Sequence, residues 1–285
     1  MKLGVIADCL KLPLAEAVEK AAALKLDGVQ IYATGGAFSP GMLTDREKAF
    51  YRDLLARTGL TVSALCGDMG GHGFEIAADN RERIEKTKRI VDLAAEFGSR
   101  VVTTHIGVIP SDPKEPRYRI MLNALAACGA YAHENGVTLA IETGPEPAAV
   151  LKGFIDRIPA GVGVNFDPAN FVMVTEQDVV EAVFLLRDSI VHTHVKDGVM
   201  LRKTDPKIIY DCFAEGGIEA LNVADYFTET PIGEGNVPFR AYLNALKEIK
   251  YDGFLTIERE AGSEPIGDIE NAIAYIKNLL EEVSQ

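Results

Sequence analysis

Tryptophan is absent from this 285-residue chain, histidine occurs only five times and cysteine four, and 29 Lys and Arg face 42 Asp and Glu. Each shortage excludes something. The formal charge of −13 argues against a nucleic-acid or anionic-membrane partner, because phosphate binding needs a positive field and released counterions. The cysteines, at 9, 66, 128 and 212, form no C-x-x-C pair and no regular spacing, so buried, reduced thiols in a cytoplasmic protein are expected. No stretch approaches the ~18 uncharged apolar residues of a membrane span. The opening MKLGVIADCL reaches Asp8 too soon for the apolar core of a signal peptide. Pro/Ser-rich linkers and low-complexity tracts are also missing. The length matches one α/β barrel, which commonly uses about 250 residues, so residues 1–285 are expected to form a single domain.

What is present has a rhythm. An amphipathic segment ends near a glycine, and a short β-branched run follows at once. The joints are Lys25-Leu-Asp-Gly28 before VQIYA, Thr58-Gly59 before LTVSAL, Phe97-Gly98 before SRVVTTHIG, Asn135-Gly136 before VTLAIET, Pro159-Ala-Gly161 before VGVNFDP and Asp252-Gly253 before FLTIERE. Glycine past a helix end supplies the left-handed conformation that stops the helix and launches a strand. With the opening KLGVIAD and the run SIVHTHVKD there are eight strands, spaced at roughly 25–40 residues as β/α units require. Ile84, Val91, Ala94 and Phe97 share one face of a helix over 79–97, and Met121, Leu125, Cys128 and Ala132 one face of a helix over 117–134. Eight alternating units predict an α/β fold, a single (β/α)8 TIM barrel; a doubly wound sheet is the alternative. One stretch breaks the rhythm. Residues 198–236 form a long loop after strand 7, with a short helix expected around Pro206–Ala214 and a role as lid, oligomer contact or inert insertion.

Strand residues alternate between faces, so polar positions opposite the apolar ones must line the barrel. Leu139 and Ile141 alternate with Ala140 and Glu142; Val164 and Phe166 with Gly163, Asn165 and Asp167; Val191 and Val195 with His192, His194 and Lys196; Leu255 and Ile257 with Thr256, Glu258 and Glu260. Thr103 and His105 likewise oppose Val102 and Ile106. Glu142, Asp167, His194, Glu258 and His105 fall near C-terminal strand ends, where barrel active sites form. A single Glu there is ordinarily a salt bridge or loop cap. Five converging polar ends are expensive to bury unless they pair or bind a cation. Two Glu, one Asp and one His suit Mn²⁺, Co²⁺, Zn²⁺ or Mg²⁺.

The runs Ile141-Glu-Thr, Asn165-Phe-Asp-Pro-Ala-Asn170, His192-Thr-His-Val-Lys-Asp197 and Thr256-Ile-Glu-Arg-Glu260 resemble the xylose isomerase-like TIM-barrel superfamily. Within it they are similar to the sugar phosphate isomerase/epimerase branch, with its D-tagatose 3-epimerase-type enzymes and its inosose isomerases and dehydratases. Pro231-Ile-Gly-Glu-Gly-Asn-Val-Pro-Phe239 resembles the glycine-rich segment that this family places before its seventh helix. The resemblance implies a divalent metal, Mn²⁺ foremost, held by Glu142, Asp167, His194 and Glu258. It further implies that Glu142 and Glu258 each keep one oxygen to exchange a proton with substrate. Asn170 stands where several sugar epimerases carry a histidine, which loosens any carry-over of their sugar preference.

The chemistry follows from the residue types as well. Removing a proton beside a carbonyl at neutral pH requires stabilisation of the resulting enediolate, which a chelated cation provides as a Lewis acid. Epimerisation then needs bases on both faces of that intermediate, and Glu142 and Glu258 would supply them. His105, Asn170 and Lys196 are candidate substrate contacts, Lys196 competing with a structural pairing to Glu260 or Asp167. His192 is expected to support the ligands, His72 to lie in an ordinary flexible loop and His133 to cap a helix end.

The leading expectation is a metal-dependent isomerase or epimerase of a small sugar or polyol. A lyase on the same site, dehydrating a keto-inositol or eliminating from a keto-glycoside, follows it. An endonuclease IV-like hydrolase is remote, since five histidines and a net charge of −13 suit neither a three-zinc cluster nor DNA. A non-catalytic sugar-binding barrel closes the series. No glycine-rich strand–helix turn carries a partnered Lys or Ser, so a substrate phosphate is not expected.

Overall fold

The computed structural model describes residues 1–217 and 221–284. Its strands are β1 (Lys2–Ile6), β2 (Gly28–Tyr32), β3 (Thr61–Cys66), β4 (Val101–Thr104), β5 (Thr138–Glu142), β6 (Val162–Phe166), β7 (Ile190–Val195), β8 (Asp197–Met200), β9 (Phe227–Thr230) and β10 (Phe254–Ile257). Eight of them close into a parallel barrel in the order β1-β10-β7-β6-β5-β4-β3-β2. All eight expected strands are in that ring, and the doubly wound alternative is excluded. β8 and β9 lie outside it as a two-stranded antiparallel sheet.

The helices follow the periodicity that predicted them. The 79–97 stripe forms Asn80–Glu96 and buries Val91 and Ala94; the 117–134 stripe forms Pro116–Glu134 and buries Met121, Leu125 and Cys128. These stripes pack on outward strand residues such as Val102, Leu139 and Ile141 in one continuous core. Truncating a fully buried residue such as Met121 to Ala in such packing costs about 2–5 kcal/mol. Four helix-to-strand joints use left-handed glycines as expected, at 59, 98, 136 and 161; at the other two, Lys25 and Lys250 take that conformation instead. Gly28 serves another purpose. A Cβ there would lie 2.7 Å from the Thr61 carbonyl and 2.8 Å from the Phe254 ring, so its missing side chain admits the aromatic floor of the barrel. All four cysteines are buried and free.

The barrel interior is layered. Ala64, Val101 and Ala140 pack together near the floor, joined by Val191. Val191 thereby departs from the expected alternation. The β6–β7 register shifts between Val164 and Asn165, so His192 pairs with Asn165 while Ile190 pairs with Val164, leaving residue 191 as an extra, inward-packed residue. Above the floor, Gln30, Thr103, Asn165, His192 and Thr256 form a polar middle layer, all buried.

The long connection after β7 is ordered around one carboxylate. Asp197 is fully buried and accepts hydrogen bonds from the backbone N–H groups of Gly198, Gly233, Gly235 and Val237 at 2.9–3.1 Å. It ties β8 to the glycine-rich segment before the helix Phe239–Glu248. The expected helix Pro206–Ala214 forms, capped by Asp205, whose side chain accepts from the Lys207 N–H. No described helix is long and apolar enough to cross a membrane.

Candidate metal centre

Strand register delivers four side chains to one point at the C-terminal mouth. Glu142 ends β5, Asp167 follows β6, His194 lies near the end of β7 and Glu258 follows β10. One potential ligand atom from each lies within 4.8 Å of the others, and the cluster is buried apart from a partly exposed Glu142. His194 Nδ1 is 2.7 Å from Glu258 Oε2, 3.6 Å from Glu142 Oε1 and 3.8 Å from Asp167 Oδ2.

The layer below orients the imidazole. His194 Nε2 lies 3.1 Å from Gln30 Oε1 and 3.2 Å from Asn165 Nδ2, which hold the ring with Nδ1 toward the carboxylates. Asn165 Nδ2 donates to Glu142 Oε2 at 3.1 Å, and Asn165 Oδ1 faces His192 Nδ1 at 2.9 Å; His192 Nε2 in turn meets Thr256 Oγ1 at 3.0 Å. Asp167 has two duties. Its Oδ1 caps the turn Pro168–Asn170 through the N–H groups of Ala169 and Asn170, while its Oδ2 points into the cluster.

The cluster can hold a metal ion. Asp167 Oδ2 and Glu258 Oε2 are buried and have no hydrogen-bond partner among the described residues; the 2.7 Å approach of His194 Nδ1 to Glu258 is not aligned as a hydrogen bond. Orphaned anionic oxygens at this depth cost free energy that a cation recovers, and a hard-oxygen set with one imidazole suits a divalent ion. Without an ion the groups share charge among themselves. Burial pushes the Asp167 carboxyl up. Burial opposes ionisation of Glu258 too, but Lys196 and His194 hold its carboxyl below the ordinary range. For His194 burial acts downward, and the carboxylates of Glu258 and Glu142 override it and hold the imidazolium well above the usual value.

A family model for the xylose isomerase-like TIM barrel matches residues 18–279. The chain belongs to that family. Among solved structures it is similar to a xylose isomerase domain protein from Planctomyces limnophilus, with 25% identity, a TM-score of 0.78 and coverage of 94% of this chain and 92% of that one. A D-tagatose 3-epimerase-like protein matches with 21% identity and a TM-score of 0.73 over 99% of this chain and 100% of its own. The probable 3-DHS dehydratase AsbF from Bacillus anthracis matches with 17% identity and a TM-score of 0.77 over 98% and 99%. No curated protein matches by sequence.

In this xylose isomerase-like barrel Glu142, His194 and Glu258 of the centre line a cleft of about 380 Å³, with Asp167 packed beside them. Of the other expected site residues, His105 lines the cleft with Nε2 3.8 Å from Glu142 Oε1. Asn170 lines it too, its amide donating to Glu142 Oε1 at 3.3 Å and to the Thr143 carbonyl at 3.0 Å. Lys196 is engaged: its ammonium lies 2.8 Å from Glu258 Oε1 and 2.9 Å from Glu260 Oε2, so the Glu260 pairing weighed beside substrate contact is the one formed. His192 sits one layer down, as expected. His72 is not loose: its Nε2 meets Glu215 Oε1 of the insertion at 2.7 Å. His133 lies in the last turn of its helix.

Sequence reasoning passed over Gln30, Glu229 and Tyr210. A glutamine inside the apolar run VQIYA was a usable signal, since its parity places it in the interior. Glu229 of β9 accepts from Arg259 and from the N–H groups of Glu260 and Ala261, fastening the insertion to the loop that follows β10. Nothing in its local sequence announces that pairing.

Proposed function

We propose that the protein is a divalent-metal-dependent isomerase or epimerase of a neutral sugar or polyol, with Glu142, Asp167, His194 and Glu258 holding the ion. The observation that carries this is the convergence of Glu142, Asp167, His194 and Glu258 on one point, with buried Asp167 and Glu258 oxygens that have no hydrogen-bond partner among the described residues, beside a cleft that Glu142, His194 and Glu258 line. A divalent cation bound there would act as a Lewis acid on substrate oxygens and stabilise the charge that develops when a carbon-bound proton leaves.

The chain's own residues supply the proton traffic. Glu142 and Glu258 stand on strands three places apart in the ring of eight, so a substrate between them meets a carboxylate from each side. They are unequal bases. Glu258 Oε1 is pinned by the Lys196 ammonium, which disfavours protonation, whereas Glu142 reaches the cleft beside His105. His105 faces the cleft beside Glu142, where it could orient a substrate hydroxyl, and Asn170 holds Glu142 Oε1 with its amide. Elimination shares the first step, and the product alone separates it from isomerisation.

The test is exchange of the α-hydrogen of ketoses with solvent deuterium, followed by NMR on Mn²⁺-loaded protein across ketoses, inososes and keto-glycosides. Exchange with recovery of an epimer or isomer is expected, and Glu142→Gln or Glu258→Gln should lower its rate by about 10²–10⁴-fold, as loss of a general base does. An enone or a released aglycone would assign the site to a lyase. No exchange across the panel at verified metal occupancy would refute the proposal.

A further inference from the structure

The insertion places one aromatic side chain where packing alone does not require it. The helix Pro206–Ala214 is fastened at the rim of the cleft by His72, whose Nε2 meets Glu215 Oε1 at 2.7 Å and whose Nδ1 lies 3.9 Å from Asp211 Oδ1. From the same helix Tyr210 turns inward. Its ring lies 6.0 Å from that of His105, and its hydroxyl rests on Gly144, two residues beyond Glu142. A Cβ at Gly144 would lie 2.2 Å from the Tyr210 hydroxyl oxygen. Gly144 is not among the positive-φ glycines, so its backbone would accept a side chain; what excludes one is the phenol. Tyr210 lines the cleft, and its hydroxyl makes no hydrogen bond to a described residue. A tyrosine hydroxyl at a half-buried position normally finds a partner.

We infer that Tyr210 is a specificity-determining residue whose hydroxyl donates a hydrogen bond to a hydroxyl or carbonyl oxygen of a neutral polyol seated on the metal centre. This rests on the sugar or polyol reading above. The phenol has a proton to donate, because burial and the Glu142, Glu146 and Asp167 carboxylates hold it in its protonated form. Neutrality of the substrate follows from the lining. Asp68, Glu75 and Glu260 face the cleft, and its one lysine is taken up by Glu258 and Glu260. Away from the metal centre an anionic substituent would meet those carboxylates with no unpaired lysine or arginine among the lining residues.

Tyr210→Phe keeps the ring and its contacts and removes only the oxygen. The experiment compares wild type, Tyr210→Phe and Gly144→Ala, each Mn²⁺-loaded, in the deuterium-exchange assay, using the most active ketose and its singly deoxygenated analogues. Tyr210→Phe should raise KM by about 3- to 10-fold, the worth of one hydrogen bond, with kcat changed less than about twofold. One deoxy analogue should be penalised by wild type and not by Tyr210→Phe, which a purely structural role would not produce. Gly144→Ala, which displaces the phenol without removing it, should raise KM in the same direction. Equal KM values for wild type and Tyr210→Phe, or unchanged discrimination among the analogues, would overturn the inference while leaving the proposed function standing. Absence of exchange in wild type would overturn both.

Discussion

Asp197 offers the sharpest test of how the mouth of the barrel is held together. Its Oδ1 accepts from the N–H groups of Gly198 and Val237, its Oδ2 from those of Gly233 and Gly235, all at 2.9–3.1 Å, and the residue has no exposed surface. Asp197→Asn keeps the shape but replaces one oxygen with an amide that is itself a donor. Whichever way the amide turns, two backbone N–H groups lose their acceptor and face a second N–H. Hydrogen bonds to a charged group are worth about 1.5–3 kcal/mol each, so the change should cost about 3–6 kcal/mol. Rotation cannot relieve it, because both oxygens carry two bonds. For a chain of this size that corresponds to a fall in Tm of roughly 6–12 °C. Calorimetry or urea unfolding measures it on the purified variant. Limited proteolysis within 231–237 shows whether the loss is global or confined to the glycine-rich segment. A variant that unfolds within about 1 kcal/mol of wild type, with that segment still resistant, would refute the reasoning.

Two further outcomes follow from other buried groups. Glu146 is buried with Oε2 unpartnered, and burial pushes its carboxyl up to about 8, so the folded state holds a proton that the unfolded chain releases at ordinary carboxylate pH. Stability should therefore fall as pH rises from about 4.5 to 8, by about 1.4 kcal/mol per unit within that window, and Glu146→Gln should flatten the slope. Urea midpoints between pH 5 and 9 measure it, and parallel slopes for variant and parent would sink the idea. Saturating Mn²⁺ should raise Tm, with about 4 kcal/mol of stabilisation at a thousandfold excess over Kd. Asp167→Asn retains the Oδ1 cap on Ala169 but loses the orphaned oxygen, and should lose most of the Mn²⁺ response while keeping the metal-free Tm within a few degrees. An undiminished Mn²⁺ response in that variant would remove Asp167 from the centre.

How much was legible depended on whether the information was local. Helix stripes and strand parity are local, so the ring of eight strands and the convergence of Glu142, Asp167, His194 and Glu258 followed from alternation alone. Val191 did not, because the β6–β7 register shift that turns it inward is a property of two paired strands. Lys196 was left between substrate and structure for a similar reason. Its partners Glu258 and Glu260 both come from the segment that follows β10, and Glu229 approaches at 3.8 Å from a strand inside an insertion whose pairing has no periodic signature. Tyr210 was invisible on the same ground, since only the folded insertion lays its hydroxyl on Gly144.

The charges at the mouth then make an argument that neither composition nor strand parity contained. Glu142, Asp167, Glu258 and Glu260 bring four carboxylates to a region where Lys196 and His194 are the cations in contact with them. Lys196 spans Glu258 and Glu260, and the His194 imidazole is shared among Glu258, Glu142 and Asp167. Four carboxylates against these two cations leave the cluster two positive charges short, and the upward push on the Asp167 carboxyl goes with that deficit: a proton resides where a cation does not. A divalent ion inverts the arrangement, because it needs His194 neutral at Nδ1 and Asp167 ionised, and Gln30 Oε1 stands ready to accept from Nε2 in that state. The small acidic excess buried here is thus matched in sign and depth to a dication, while the larger acidic excess on the helices needs only water.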